Sequence, residues 1–334
     1  MPPGRDPVER ASDGSQDLYD IASWEPRTAV DRLAVSVYGS LRPIGRWLLI
    51  LLGVVLLIAL VAVGALGDVR DPAVWGFVLL SAVPALLLAA YFRRIDVTSE
   101  EPVGLLLGTF VLGVLFAGFA GVLNDFGSIL QAVQFGTFGV GSVLFFYLVV
   151  GPVEETVKLL AVRLHPYRSD RFDSVVDGAV YGAAAGLGFA TIENALYIAR
   201  FAEGGVFSIA FVRALAGPGH VVYSGIAGYY LGLAKFNREQ AGPIVVKGIL
   251  IAAFVHATYN ASVGVAPGII ADATDLSMGL SFVAYVVLYV GAAGYYLYRK
   301  IDRYRAAYEA FDAGAEQDAD ASPERAEFDG SIRD

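Results

Sequence analysis

Glu154, Glu155 and Lys158 interrupt one of the most apolar stretches of the chain, between SVLFFYLVV (142–150) and LLAV (159–162). Ionisable groups at membrane depth are costly and mark functional sites by default. On a helix Glu154 and Lys158 lie four apart on one face, acid before base, so a structural ion pair would account for those two taken alone. They do not stand alone. FATIEN brings Glu193 and Asn194, RALAGPGH brings Arg213, Pro218 and His220, and HATYN places His256 and Asn260 at i and i+4 on one helix face. Glu154, Glu155, Glu193, His220, His256 and Asn260 together supply what peptide hydrolysis needs. A carboxylate takes the proton of an attacking water, imidazole or carboxylate groups hold that water or a zinc ion, and His or Asn donors stabilise the oxyanion. Lys158, Asn194 and Arg213 are placed to support them. No serine sits in a nucleophile-elbow motif and there is no HExxH, so any metal site must be assembled from separate helices.

These residues have to be positioned inside a bilayer. The chain has 334 residues, 56% of them hydrophobic, and no cysteine, with a mean hydropathy of +0.58. Its apolar residues come in blocks, the signature of a multi-pass membrane protein. Without cysteine the chain has no disulfide, thiolate nucleophile or Cys-ligated metal. The net charge of -9 arises mostly at the two ends, with seven acidic residues before Arg46 and ten after Tyr298. That composition argues against nucleic-acid binding.

The fold class expected is all-α, with about eight transmembrane helices and a polar site in the C-terminal half. Spans of ~20 residues are expected near 47–66, 73–92, 103–123, 137–164 (broken near Gly151 and Pro152), 175–200, 209–235, 243–263 and 279–298. Pro218 and its flanking glycines predict a further break just before His220. Gly178, Gly182, Gly186 and Gly188 make the fifth span a central, closely packed helix. Asp177, ~24 Å from Glu193 along that helix, is expected to cap its end. Of the 24 basic residues, 21 fall on one side of this topology, which predicts a cell-membrane protein with both termini cytoplasmic. Four regions follow: a polar amino-terminal tail (1–46), of which only DLYDIASWEPRT is expected to order; a three-helix accessory segment (47–123), read as frame or docking surface; a catalytic bundle (124–298); and an acidic tail (299–334) expected to be disordered.

The order EExxK (Glu154, Glu155, Lys158), FxxxEN (Phe189, Glu193, Asn194), RxxxxPxH (Arg213, Pro218, His220) and HxxxN (His256, Asn260) resembles the PrsW family of intramembrane proteases. That family is a distant relative of the CAAX prenyl endopeptidase and abortive-infection superfamily. The resemblance covers about residues 140–263. It implies a glutamate-dependent peptidase with a metal, zinc in the first instance, acting on a membrane-anchored protein such as an anti-sigma factor. By analogy with the prenyl endopeptidases, Glu154 would be the base, and His256 with Asn260 the oxyanion donors. The chain carries Glu193 where those relatives carry histidine, and has His220 as an extra group. Glu193, His220 and His256 form the expected metal set, and His256 is open to two roles, ligand or hydrogen-bond donor. Counted along straight helices, Glu154 lies some ~15 Å deeper than Glu193, a mismatch that a re-entrant segment or a later helix start would remove. A proton- or ion-coupled transporter is the alternative from another class, since buried carboxylates, histidines and broken helices also mark ion paths.

Overall fold

A computed structural model describes residues 6–12, 15–41, 72–96, 101–132, 140–201 and 205–320. Within them the chain is helical: α1 (Pro7–Ala11), α2 (Ala29–Leu41), α3 (Pro72–Arg94), α4 (Val103–Gly127), α5 (Val140–Phe145), α6 (Gly151–Leu164), α7 (Val175–Phe201), α8 (Val206–Phe236), α9 (Ala241–Ser262), α10 (Ala266–Thr274) and α11 (Met278–Asp320). Six of these, α3, α4, α7, α8, α9 and α11, are long and apolar enough to cross a membrane. The span expected at 47–66 lies outside the described residues. The one expected at 137–164 is α5 joined to α6 through a π-helical segment, Phe146–Val150, so its predicted break is a locally underwound ladder just before Gly151.

α7 is the axis of the bundle. Its apolar window is 89% buried, against 22% for α3 and for α4, so α7 is enclosed by protein while the other two turn most of their surface outward. The cause is its glycine row. A Cβ on Gly178, Gly182 or Gly186 would collide with the backbone carbonyls of Gly228, Ser224 and His220 on α8. The spacing of four keeps all three glycines on one stripe, so the two helices lie backbone to backbone along three turns. Gly188, on another face, presses in the same way on Phe110 of α4. At the start of α7, Ser174 and Asp177 make a reciprocal cap. Asp177 N–H donates to Ser174 Oγ at 3.3 Å, and Asp177 Oδ2 accepts from the backbone N–H of Ser174 at 3.0 Å and of Asp173 at 2.6 Å. Asp177 thus caps the helix end as its distance from Glu193 predicts.

Two expectations are corrected. α8 runs unbroken from Val206 to Phe236 through Pro218. The proline removes a single i→i−4 bond, and the rest of the ladder and the tight seat against α7 keep the axis intact. α11 does not end at 298 but stays helical to Asp320, with Leu297, Ile301, Tyr304 and Ala307 buried. That stripe recurs every three or four residues, so it stays on one face of a helix. Tyr304 Oη donates to Asp6 Oδ2 at 2.9 Å, so the start of the chain packs along this extension.

The DLYDIASWEPRT segment also folds onto the bundle. Lys247 of α9 pairs with Asp31 at 2.6 Å and Asp20 at 2.9 Å, and Lys300 of α11 pairs with Asp20. Leu18, Ala22 and Trp24 are buried beside them.

Candidate active site

The depth mismatch predicted for Glu154 is absent, and close packing together with side-chain direction accounts for this. A Cβ on Gly151 would meet the carbonyl of Ala253, so the start of α6 presses directly on α9. Side chains lean toward the N-terminus of their own helix. Glu154 and Glu155 therefore reach back to the level of Gly151 while His256 reaches back to that of Ala253, and they meet. Glu155 Oε1 lies 2.9 Å from His256 Nδ1, and Glu154 Oε2 lies 3.8 Å from His256 Nε2.

The second half of the site comes from the α7–α8 seam. Glu193 Oε2 lies 2.8 Å from His220 Nε2 and pairs with Arg213. Arg213 Nε also donates to Asn194 Oδ1 at 2.8 Å, and Asn194 Nδ2 donates to Ser81 of α3 at 3.0 Å. Arg213 and Asn194 thus set the position of Glu193, and Glu193 sets His220.

Lys158 lies between the halves and is fully buried. Its Nζ donates to Glu155 Oε1 at 2.7 Å and to His220 Nδ1 at 2.9 Å, stands 3.6 Å from Glu154 Oε2, and rests 4.3 Å above the Phe189 ring. These bonds dictate the tautomers. A lysine only donates, so His220 Nδ1 carries the lone pair and Nε2–H donates to Glu193. Glu155 accepts from His256 Nδ1–H, leaving the lone pair of His256 on Nε2. The free lone pair of His256 is therefore turned toward Glu154, while that of His220, whose Nδ1 is 4.0 Å from Glu154 Oε2, receives Lys158. Among the described residues Glu154 Oε2 is buried without a hydrogen bond, its nearest cation being Lys158 at 3.6 Å.

Ligand atoms of Glu154, His220 and His256 all come within 4.8 Å of one another. Three acceptors, with each histidine backed by a carboxylate on its other nitrogen, have the chemistry of a divalent-metal site and could hold such an ion. Glu193, expected among the ligands, bonds His220 from behind, and it is Glu154 whose carboxylate oxygen lies with the ring nitrogens of both histidines.

The cluster opens on a cavity of about 880 Å³ lined by Glu154, Glu193, Arg213, His220, His256 and Asn260 among others. All nine candidate residues are therefore brought into one region: six line the cavity, and Glu155, Lys158 and Asn194 are bonded to those that do. Sequence reasoning missed three contributors. Ser224 Oγ donates to Glu155 Oε2 at 3.2 Å; it lies four residues after His220, a spacing that could have revealed it. Tyr223 stacks on His256 with ring centroids 5.2 Å apart. Asn124 donates from Nδ2 to Glu154 Oε1 at 3.0 Å; it lies one residue beyond the expected third span (103–123), on the last turn by which α4 continues past it.

Fold and site define a multi-pass helical membrane protein whose buried glutamates and histidines converge beside a cavity. The sequence profile of the PrsW family of intramembrane metalloproteases matches residues 101–292. Protease PrsW of Bacillus subtilis (strain 168) is 33% identical over 172 residues, 51% of this chain and 74% of that protein. Protease PrsW of Geobacillus kaustophilus is 33% identical over 175 residues, 51% and 72% of the two chains. That of Clostridioides difficile (strain 630) is 28% identical over 175 residues, 51% and 71%. No solved structure matches. The chain belongs to the PrsW family of intramembrane metalloproteases.

Proposed function

We propose that this chain hydrolyses a peptide bond of a membrane-anchored protein with Glu154 as proton acceptor. The observation that carries the reading is Glu154 Oε2, which makes no hydrogen bond among the described residues and lies 3.8 Å from His256 Nε2 and 4.0 Å from His220 Nδ1 beside the cavity. A buried acceptor left unpaired costs about 1–3 kcal/mol, and a site built to receive a water or cation explains why that cost is tolerated. A water among these three atoms gives its proton to Glu154 Oε2 as its oxygen attacks the scissile carbonyl. His256, held by Glu155, accepts the water's other hydrogen on its lone-pair Nε2, while His220, held by Glu193, receives Lys158 on Nδ1 and keeps that ammonium beside Glu154. With both His256 nitrogens so engaged, Asn260 is the oxyanion donor of the HxxxN pair.

His220, His256 and Glu154 would hold a zinc ion, which would supply Lewis acidity for the carbonyl and a more acidic water; with the ion bound Glu154 Oε2 would be a ligand, and the ion's effect on that water would take the place of proton acceptance by this oxygen. His220 is free to ligate through Nδ1 once Lys158 withdraws to Glu154 and Glu155, its other two neighbours. Residues 124–298 act as the catalytic bundle, with α3 and most of α4 as its frame. With Lys158 and Arg213 set aside as site residues, 20 of the other 22 basic residues fall on one side of the expected topology, which supports cytoplasmic termini. The substrate is then a tethered regulator of the anti-sigma-factor type, cut near the outer face. Reconstitution with a single-pass membrane substrate checks this. Cleavage that needs Glu154 and His256, and stops on chelation, is the expected outcome; undiminished cleavage by both Glu154→Gln and His256→Ala would remove the proposal.

A further inference from the structure

α4 is an apolar span until its last turn, where Asn124 and Asp125 stand, and nothing in the family motifs quoted above includes it. We infer that Asn124 is a positioning residue for Glu154. A carboxylate turns about its last torsion between two broad, equivalent states. If unrestrained, its two oxygens would exchange and follow the ammonium of Lys158, 3.6 Å from Oε2. The 3.0 Å bond from Asn124 Nδ2 anchors Oε1 and leaves Oε2 as the oxygen between the two rings. The amide is fixed in turn: a flip would set Oδ1 against the carboxylate, acceptor to acceptor. Its Oδ1 is buried without a partner on the cavity wall. Among the described residues the amide's tie to the protein is the one it makes to Glu154, and α4 supplies the coordinate that α6 alone does not. One span of the frame thus determines which oxygen of the central glutamate faces the two histidines.

This inference rests on the proposed role of Glu154, and the test separates the two. The full chain is purified in detergent, stripped with chelator and titrated with Co²⁺, reading both the affinity and the visible spectrum, which reports ligand geometry without any substrate. Asn124→Ala and Asn124→Asp are expected to weaken Co²⁺ binding by about 10–100-fold, the usual effect of losing a partner of a ligand, and to alter the spectrum. Asn124→Gln, which keeps the donor, restores part of the affinity. Leu115→Ala, lipid-facing on the same helix at 59% exposure, binds as the unmodified chain does. Unchanged affinity and spectrum in both Asn124→Ala and Asn124→Asp, with binding lost in Glu154→Gln, would overturn the role of Asn124 and leave the site standing. Full binding by Glu154→Gln, or none by the unmodified chain, would remove both. Thermal unfolding of the stripped proteins identifies any variant that is merely misfolded, and the aspartate, nearly isosteric with asparagine, then carries the test.

Discussion

Two clusters of buried charge lie along α9, nine residues apart at Lys247 and His256, or ~13 Å along the helix. At Lys247 the charges balance: two lysines (Lys247, Lys300) meet two aspartates (Asp20, Asp31), with Asp31 Oδ1 2.6 Å from Lys247 Nζ, and backbone N–H groups of Arg27 and Thr28 bond Asp31 Oδ2 at 3.0 and 2.6 Å. At His256 they do not. Three glutamates face one lysine and one arginine, His256 presents a free lone pair, and Glu154 Oε2, beside a cavity, has no hydrogen bond among the described residues and its nearest cation 3.6 Å away. Buried charge alone is thus no sign of chemistry. What marks the second cluster is a surplus of acceptors aimed at one point that water or a cation can occupy. The first cluster fastens the amino-terminal segment, outside the family match at 101–292, to the bundle.

The comparison breaks most visibly at its two centres. Glu154→Gln is expected to reduce cleavage roughly 10²–10⁴-fold, while the unfolding temperature holds or rises because the lone carboxylate is relieved; a folded, fully active variant would erase the distinction. Lys247→Met should act in reverse. Removing one member of a buried pair costs about 3–5 kcal/mol, to be seen in denaturant unfolding, with cleavage per folded molecule unchanged; a stable but inactive Lys247→Met would instead join the two clusters functionally. Glu193→Gln leaves His220 less well held, and metal retention should drop about 10–100-fold in competition with a chelator.

The smallest effect is one of pH. Burial pushes Asp31 up, but Lys247, Tyr19 and Thr28 outweigh it and hold its carboxyl well below the usual carboxylate range. A folded-state value lowered in this way stabilises the protein above the ordinary pKa of ~4, and that contribution is lost as pH falls through the folded value. Thermal stability should therefore fall below pH ~4 in the unmodified chain and less steeply in Asp31→Asn; equal slopes would mean that the pair contributes nothing there.

The motif residues were legible because a charge or imidazole inside an apolar run has few explanations. The glycine row of α7 was readable as a packing face, but not that α8 is the helix seated on it, which is what brings His220 to Glu193. The depth of Glu154 was not, because rise per residue measures Cα positions while long side chains meet by leaning back along their helices. Asn124 gave no signal: an amide beside Asp125 at the end of an apolar run reads as a helix terminus. The extension of α11 was hidden by composition, since acidic residues outweighed the Leu297, Ile301, Tyr304 and Ala307 stripe. Pro218 misled because its missing N–H leaves only one gap in a ladder that stays helical on both sides of it.

The most direct test is X-ray absorption at the zinc edge on purified, zinc-loaded protein. The account requires one ion per chain with two imidazole ligands and at least one carboxylate oxygen, and one imidazole fewer in His256→Ala. A zinc spectrum without imidazole scattering, or one unchanged in His256→Ala, would contradict it.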